Sequence, residues 1–197
     1  MKKITILIVA VLISATVHAR NKDIPATIYF HDGTQVEGFI RPVKIEDKKI
    51  SFKAEKRSKV QKFDSKSIAR IRSFSQEDDS YAEIVYLPHY PMRVAIRPNA
   101  KLKKPTWLNV LIDGPVSLYF ANSFYLVKRE DELGPTAITF IHPNTIHIGA
   151  TPIERTGPKY FADYPELAEK IRNREFRNSR EDIRAIVHEY NAWAGRR

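Results

Sequence analysis

The sequence predicts an α+β protein that is mainly antiparallel β and ends in an α-helical hairpin. Through most of the chain, short β-prone segments alternate with turn residues. From Pro158 onward the apolar residues recur with a helical period instead. The first strands are short and have the spacing of a small all-β unit. Two short amphipathic helices are not stable alone, so we expect the helical hairpin to pack on the sheet.

Turn and capping residues mark the elements of the N-terminal part. Asp32-Gly33 lies between two β-prone segments and predicts a hairpin in which both residues have positive φ. Gly38, inside the next strand, indicates a bulge or a tight bend. Asp64 or Ser65 is expected to cap one helical turn before the strand IARIRSF.

The acidic segment SQEDDS is the predicted joint between two β units. It separates a group of short strands from a longer meander that contains TWLNVLI, VSLYF and FYLVKR. The expected divisions are a signal peptide at 1–19, a small β unit at 20–75, a second antiparallel meander at 76–153 and the helical hairpin at 154–197.

The first nineteen residues have the pattern of a secretory signal peptide. Lys2 and Lys3 precede an apolar run, and VHA ends it with small residues at the positions required for cleavage. The alternative is an uncleaved membrane anchor, but the run is short for a bilayer span. We expect cleavage between Ala19 and Arg20 and a periplasmic or extracellular protein with no transmembrane anchor afterwards.

The basic charge is concentrated in one segment of the chain. The formal net charge is +10, and residues 41–72 hold twelve Lys or Arg against four acids. Such a segment attracts polyanions, and in an exported protein the candidates are anionic lipid or acidic glycan surfaces rather than nucleic acid. The alternative is a solvated sheet edge that lysines protect from aggregation. The candidate polyanion contacts are Lys48, Lys49, Lys56, Arg57 and Lys59.

The motifs of the common catalytic classes are missing from the sequence. It contains no cysteine, G-x-S-x-G, P-loop, dinucleotide fingerprint or HExxH. His142 and His147, the closest histidine pair, flank Pro143 and do not have the spacing of a metal site. We therefore predict no catalytic residue, no metal and no cofactor. The sequence leaves open a glycosidase-like site, in which two carboxylates face each other across a cleft.

The stretch ADYPELAEK predicts the start of a helix. Asp163 and Glu166 have the spacing of a capping box, in which each side chain accepts a hydrogen bond from a backbone N–H of the first turn. Pro165 suits the first helical position because its missing N–H is not needed there. We predict that Asp163 and Glu166 are a structural cap and that Ser179 begins the second helix.

Several of these segments together carry a family resemblance. LIDGPVSLYF, FYLVKREDEL, KYFADYPELAEKIRNREF and DIRAIVHEYN, in this order, resemble exported proteins of unknown function from Bacteroidetes. Those proteins have an L-x-x-G-x-V-x-L-Y hairpin, a D-x-P-E-L…K-I helix and a terminal Y-N. The matching residues of the helical part are Asp163, Pro165, Glu166, Leu167, Lys170, Ile171, Phe176, Tyr190 and Asn191, while Tyr164 and Ala162 replace the usual Cys and Ser.

The resemblance implies export and the β-then-α order, but no biochemical activity, since the group has none established. The N-terminal half is also similar to small Sm-like or SH3-like barrels, which implies a small barrel-like N-terminal part. We therefore expect a cell-envelope protein with a non-enzymatic binding or structural role, whose partner is an envelope protein or an anionic glycan or lipid surface. The alternatives are a glycan-acting envelope enzyme and a polyanion-binding module that uses residues 41–72.

Expression in a Gram-negative host should yield a protein that begins at Arg20, because the n-region, apolar run and VHA site form a complete cleavage signal. Intact-mass measurement of the periplasmic or secreted fraction checks this. Protein that retains Met1 and stays in the cytoplasmic fraction would contradict it.

Overall fold

A computed structural model describes residues 23–75, 80–90, 101–141 and 151–196. Within these ranges, ten strands form one antiparallel sheet and three helices follow them. The strands are β1 (Ile24–Phe30), β2 (Gln35–Ile40), β3 (Lys49–Lys53), β4 (Gln61–Asp64), β5 (Ile68–Ser75), β6 (Ser80–Leu87), β7 (Thr106–Ile112), β8 (Val116–Ala121), β9 (Phe124–Arg129) and β10 (Thr136–Phe140). The helices are α1 (Pro152–Tyr160), α2 (Pro165–Arg172) and α3 (Arg180–Ala194).

The predicted α+β class, mainly antiparallel β, is confirmed. The strand order is β10-β9-β8-β7-β6-β5-β1-β2-β3-β4. The sheet is not closed into a barrel, so the prediction of a barrel-like N-terminal part was wrong. β5 pairs with β6, and the two predicted β units therefore share one continuous sheet. Residues 76–79 of the predicted joint lie outside the described residues. The division into domains remains a prediction.

The N-terminal strands bury one face of the sheet. Side chains alternate between the two faces of a strand, so every second residue of β1, β2 and β3 points into a shared core. β5 adds Ile68 and Ile71, which are three residues apart because its pairing with β1 contains a register shift. Trp107 of β7 completes this core and is only 4% exposed. The core residues are Ala26, Ile28, Ile40, Ile50, Phe52, Ile68, Ile71 and Trp107. The intervening residues of the same strands lie on the opposite face.

Gly38 permits β3 to cross closely over β2. A Cβ atom at this position would lie 2.2 Å from the carbonyl oxygen of Lys53 and 2.8 Å from ring carbons of Phe52. The pairing of β1 with β2 continues through Gly38 without a register shift. Of the two predicted alternatives, the glycine therefore serves a close approach and not a bulge.

The predicted turns are present, with one difference in their backbone. Gly33 has φ +85°, but Asp32 does not have positive φ. Instead, the Asp32 carboxylate accepts a hydrogen bond from the Thr34 N–H at 2.9 Å. Asp64 caps a 3₁₀ turn (Ser65–Ser67) by accepting from the Lys66 N–H, as predicted.

Three helices, not the predicted two, follow the sheet. The helical region begins at Pro152, where Thr151 and Glu154 form a capping box. Pro158 lies inside α1 near its C-terminal end. Gly157 lets α1 approach α2, because a Cβ there would lie 3.2–3.3 Å from Ile153 and Ile171. Gly and Pro are helix breakers by propensity, and here tertiary packing outweighs that propensity.

The helices pack on β8, β9 and β10, as expected from their amphipathic pattern. Ser179 caps α3 by accepting from the Asp182 N–H at 3.1 Å, which confirms the predicted start. The shared core contains Val116, Leu118, Val127, Ile138, Ile153, Phe161, Leu167, Ile171, Ile183, Ile186 and Val187.

Asn191 joins α3 to β8 through two side-chain hydrogen bonds. Its side-chain oxygen accepts from the Val116 N–H at 2.8 Å and its amide nitrogen donates to the Val116 carbonyl at 2.9 Å. Gly114 makes room for it, since a Cβ there would lie 2.7 Å from the Asn191 nitrogen. The G-x-V of the hairpin and the Y-N of the last helix therefore meet in space.

Replacing Asn191 with Ala should lower the free energy of unfolding by about 1–3 kcal/mol, because both polar groups of Val116 lose their partner. The matched control is His188→Ala, an exposed position on the same helix. This substitution should change the free energy of unfolding by less than about 0.5 kcal/mol. Urea unfolding of both variants measures the difference. Equal stabilities for the two variants would contradict this role.

Candidate functional site

The open face of the N-terminal strands carries a groove. Its volume is about 500 Å³, within the range of small-ligand sites. It extends across β2, β1, β5 and β6, and most of its side chains lie on the face opposite the buried core, while Ala26 and Gly38 of the core face border it. The lining residues are Pro25, Ala26, Thr27, Glu37, Gly38, Phe39, Ala54, Arg72, Phe74 and Tyr81.

A cation and two aromatic rings form one wall of this groove. Strand pairing places Phe74 opposite Tyr81 and Arg72 opposite Glu83. The Arg72 guanidinium lies 4.1 Å from the Tyr81 ring centroid, and the Phe74 and Tyr81 centroids are 5.0 Å apart. Tyr81 is 61% exposed. Stacking of a guanidinium on an exposed ring contributes about 0.5–1 kcal/mol, which favours this arrangement of the two side chains.

The opposite wall of the groove has the same chemistry. The Lys56 ammonium lies 5.5 Å from the centroid of the Phe39 ring. The nearby Lys53 ammonium is bound to the Asp23 carboxylate at 2.7 Å, so its charge is compensated. Cations over aromatic rings therefore flank the groove on both sides.

The predicted polyanion contacts fall into two groups. Lys56, Arg57 and Lys59 lie in the connection between β3 and β4, beside the groove. Lys48 and Lys49 lie at the other end of β3, which is about 13 Å away along the strand alone. All five are exposed, but the structure does not bring them into one site.

The sequence prediction missed Arg72, Phe74 and Tyr81. The alternation in IARIRSF was a usable signal, because an inward Ile71 sets Arg72 and Phe74 outward. The partner of Arg72 was not predictable, since the pairing of β5 with β6 crosses the connection at 76–79.

Asp163 does not cap α2, which corrects the prediction. The N-cap is Tyr164, and it makes no side-chain capping bond. Asp163 instead accepts from the Arg129 guanidinium at 2.7 Å and from the Tyr190 hydroxyl at 2.5 Å. Its carboxylate lies one residue too early for the cap and is engaged by a cation from β9.

Glu166 has a different environment from the predicted one as well. It lies in the first turn of α2 and is exposed, next to Pro165 at the predicted helix start. Lys170, one turn later in α2, is bound to Glu189 of α3 at 2.8 Å. The prediction of a reciprocal capping box from Asp163 and Glu166 is therefore wrong.

Arg129 links the sheet to α1, to α3 and to the segment between α1 and α2. Its guanidinium also donates to the Tyr160 carbonyl at 2.7 Å and lies 4.5 Å from the Tyr160 ring centroid. The Tyr160 hydroxyl donates to the Glu132 carboxylate at 2.8 Å. Burial, together with that carboxylate, raises the pKa of Tyr160, and burial raises the pKa of Tyr190. We assign this cluster a structural role.

Within the described ranges, no three His, Asp or Glu side chains are placed to hold a metal ion. His142 and His147 lie outside those ranges. No helix that the structure describes is both long and apolar enough to span a bilayer.

Comparison with known proteins adds no relative to this description. No protein-family model, no curated protein and no solved structure gives a significant match to the chain.

Alkaline pH should destabilise the fold through Tyr160. Its raised pKa means that the stability contributed by the protonated phenol is complete below about pH 10, the value of an unfolded tyrosine, and declines as pH rises further. Each such group lowers the free energy of unfolding by about 1.4 kcal/mol per pH unit in that range. Tyr160→Phe should flatten the decline.

Urea unfolding at several pH values above neutral measures this dependence. Tyr81→Phe is the matched control, because it removes the same hydroxyl from an exposed ring, and it should keep the wild-type dependence. An equally steep decline in the Tyr160→Phe protein would show that the buried phenol is not responsible.

Proposed function

We propose that this protein is an exported, non-enzymatic binding protein of the cell envelope, and that its groove binds an acidic glycan. The observation that supports this most is the Arg72 guanidinium stacked on the exposed Tyr81 ring at the groove wall. Export remains an expectation from the signal-peptide pattern of residues 1–19.

The side chains of the groove fit the two chemical parts of an acidic sugar. Exposed Tyr81 and half-buried Phe74 offer flat apolar faces to the C–H faces of a sugar ring. The Arg72 Nε lies 3.9 Å from the Glu83 carboxylate, and the two terminal nitrogens of the guanidinium offer a planar pair of donors for a carboxylate or sulfate group. Lys56, on the other wall, provides a second cation for a neighbouring acidic sugar.

A glycan-acting enzyme is less well supported by the same groove. Glycosidases need two carboxyl groups that face each other across the scissile bond. Among the lining residues that the structure describes, Glu37 is the one carboxylate. Binding without hydrolysis is therefore the function that the groove chemistry favours.

Heparin should bind residues 20–197 more tightly than neutral dextran does, and the binding should weaken as salt is raised, since exposed charges are screened. Arg72→Ala should weaken heparin binding by about tenfold or more, because a charge-assisted hydrogen bond contributes about 1.5–3 kcal/mol. Tyr81→Ala should also weaken it, because the ring on which the sugar and the Arg72 guanidinium stack is lost. Isothermal titration calorimetry measures this.

A charge-matched pair of variants separates the groove from net charge. Lys56→Ala/Arg57→Ala and Lys48→Ala/Lys49→Ala each remove two positive charges, but only the first pair lies beside the groove. The first variant should lose heparin binding and the second should retain most of it. Equal losses in both variants, or full binding by Arg72→Ala, would refute the groove as the site.

A further inference from the structure

A second basic surface lies at the opposite end of β3 from the groove. Three segments that are distant in sequence contribute to it, and every lysine in it is exposed. We call it the basic end, and its lysines are Lys44, Lys48, Lys49 and Lys66. We include Lys103 and Lys104, because they closely precede Trp107, which is bound to the β2–β3 connection.

The carbonyl oxygen of Asp47 joins the segments of the basic end. It accepts from the Trp107 indole N–H at 2.9 Å and from the Ser65 hydroxyl at 2.7 Å. The Ser65 N–H donates to the Lys48 carbonyl at 2.9 Å, and the Trp107 N–H donates to the Ile45 carbonyl at 2.9 Å. These bonds hold the β2–β3 connection against the 3₁₀ turn and the start of β7.

The acids of this region reduce the charge of the basic end without cancelling it. Six lysines stand against Glu46, Asp47 and Asp64, which leaves a net charge of +3. Asp47 uses a carboxylate oxygen to accept from the Lys44 N–H at 2.8 Å, and Asp64 likewise accepts from the Lys66 N–H at 2.9 Å. Both carboxylates are engaged with backbone, while the lysine ammonium groups face solvent.

We propose that the basic end contacts the anionic phospholipid headgroups of a membrane surface. The surface consists of lysines, which are compact and strongly hydrated point charges, and the aromatic residue beneath them, Trp107, is buried. It therefore differs from the groove, where an arginine and exposed rings favour a shaped ligand. A plane of headgroups needs no such shape, and each lysine near it raises partitioning roughly fivefold.

The test is cosedimentation of residues 20–197 with vesicles of phosphatidylcholine, with and without phosphatidylglycerol. The protein should bind only the vesicles that contain phosphatidylglycerol, and raising the salt to about 0.5 M should release it. Removing Lys48, Lys49, Lys103 and Lys104 together by substitution with Ala should weaken vesicle binding at least tenfold.

The matched control removes Lys56, Arg57, Lys59 and Lys62, which have the same total charge, by the same substitution. It should keep vesicle binding within about threefold and lose heparin binding, whereas the basic-end variant should do the reverse. The two proposals therefore fail independently. Circular dichroism melts confirm that both variants fold. No binding of the wild type to anionic vesicles, or equal losses in the two variants, would overturn the proposal.

Discussion

The burial of one face of the N-terminal strands over Trp107 is the constraint on which the rest of the structure depends. Because side chains alternate along a strand, packing Ile28, Ile40 and Ile71 inward leaves their neighbours on the other face. Gly38 allows the β3–β4 hairpin to cross on the core side, since any side chain there would collide with the backbone of Lys53. The groove is the open face that this arrangement leaves, and its position follows from the core.

Trp107 has a second consequence through its indole N–H. By donating to the Asp47 carbonyl, it fixes the β2–β3 connection beside β7. β3 separates the lysines of the basic segment into two surfaces, one at each of its ends. One surface borders aromatic rings, as Lys56 does over Phe39, and the other surrounds a buried indole. A single run of charge in the sequence thus becomes two surfaces with different chemistry.

The segments that carry the resemblance to exported Bacteroidetes proteins meet in the C-terminal half. Asn191 binds Val116 of the G-x-V hairpin, and Asp163 joins Arg129 to Tyr190. These contacts connect the sheet to α3 and to the segment that precedes α2. Their physical role is to hold the helices on the sheet, and none of them points to a ligand. The resemblance itself stays an expectation from the sequence.

Features with local causes were predictable from the sequence. Asp64 and Ser179 cap the elements that follow them because each bond joins residues two or three apart. Asp163 had the right spacing for a cap, yet its carboxylate binds Arg129, which is 34 residues away. α1 was missed because Gly157 and Pro158 oppose a helix by propensity, while packing against Ile171 favours it.

The candidate site was less predictable than the fold. Residues of the basic segment were selected by charge alone, and charge does not show which lysines share a surface. Arg72 could be placed outward by alternation, but its ring partner Tyr81 depends on the register between β5 and β6. In a hairpin the register is set by the type and length of the connecting turn, and alternation within one strand does not determine it.

The most direct test of the groove as the binding site is an NMR titration of the ¹⁵N-labelled protein with a short acidic oligosaccharide derived from heparin. The account predicts saturable shifts of the backbone amides of Glu37, Phe39, Arg72 and Phe74 and of the Tyr81 ring signals, with small changes at Lys48 and Lys49. Shifts that centre on the basic end, or that spread over all exposed lysines without saturation, would contradict it.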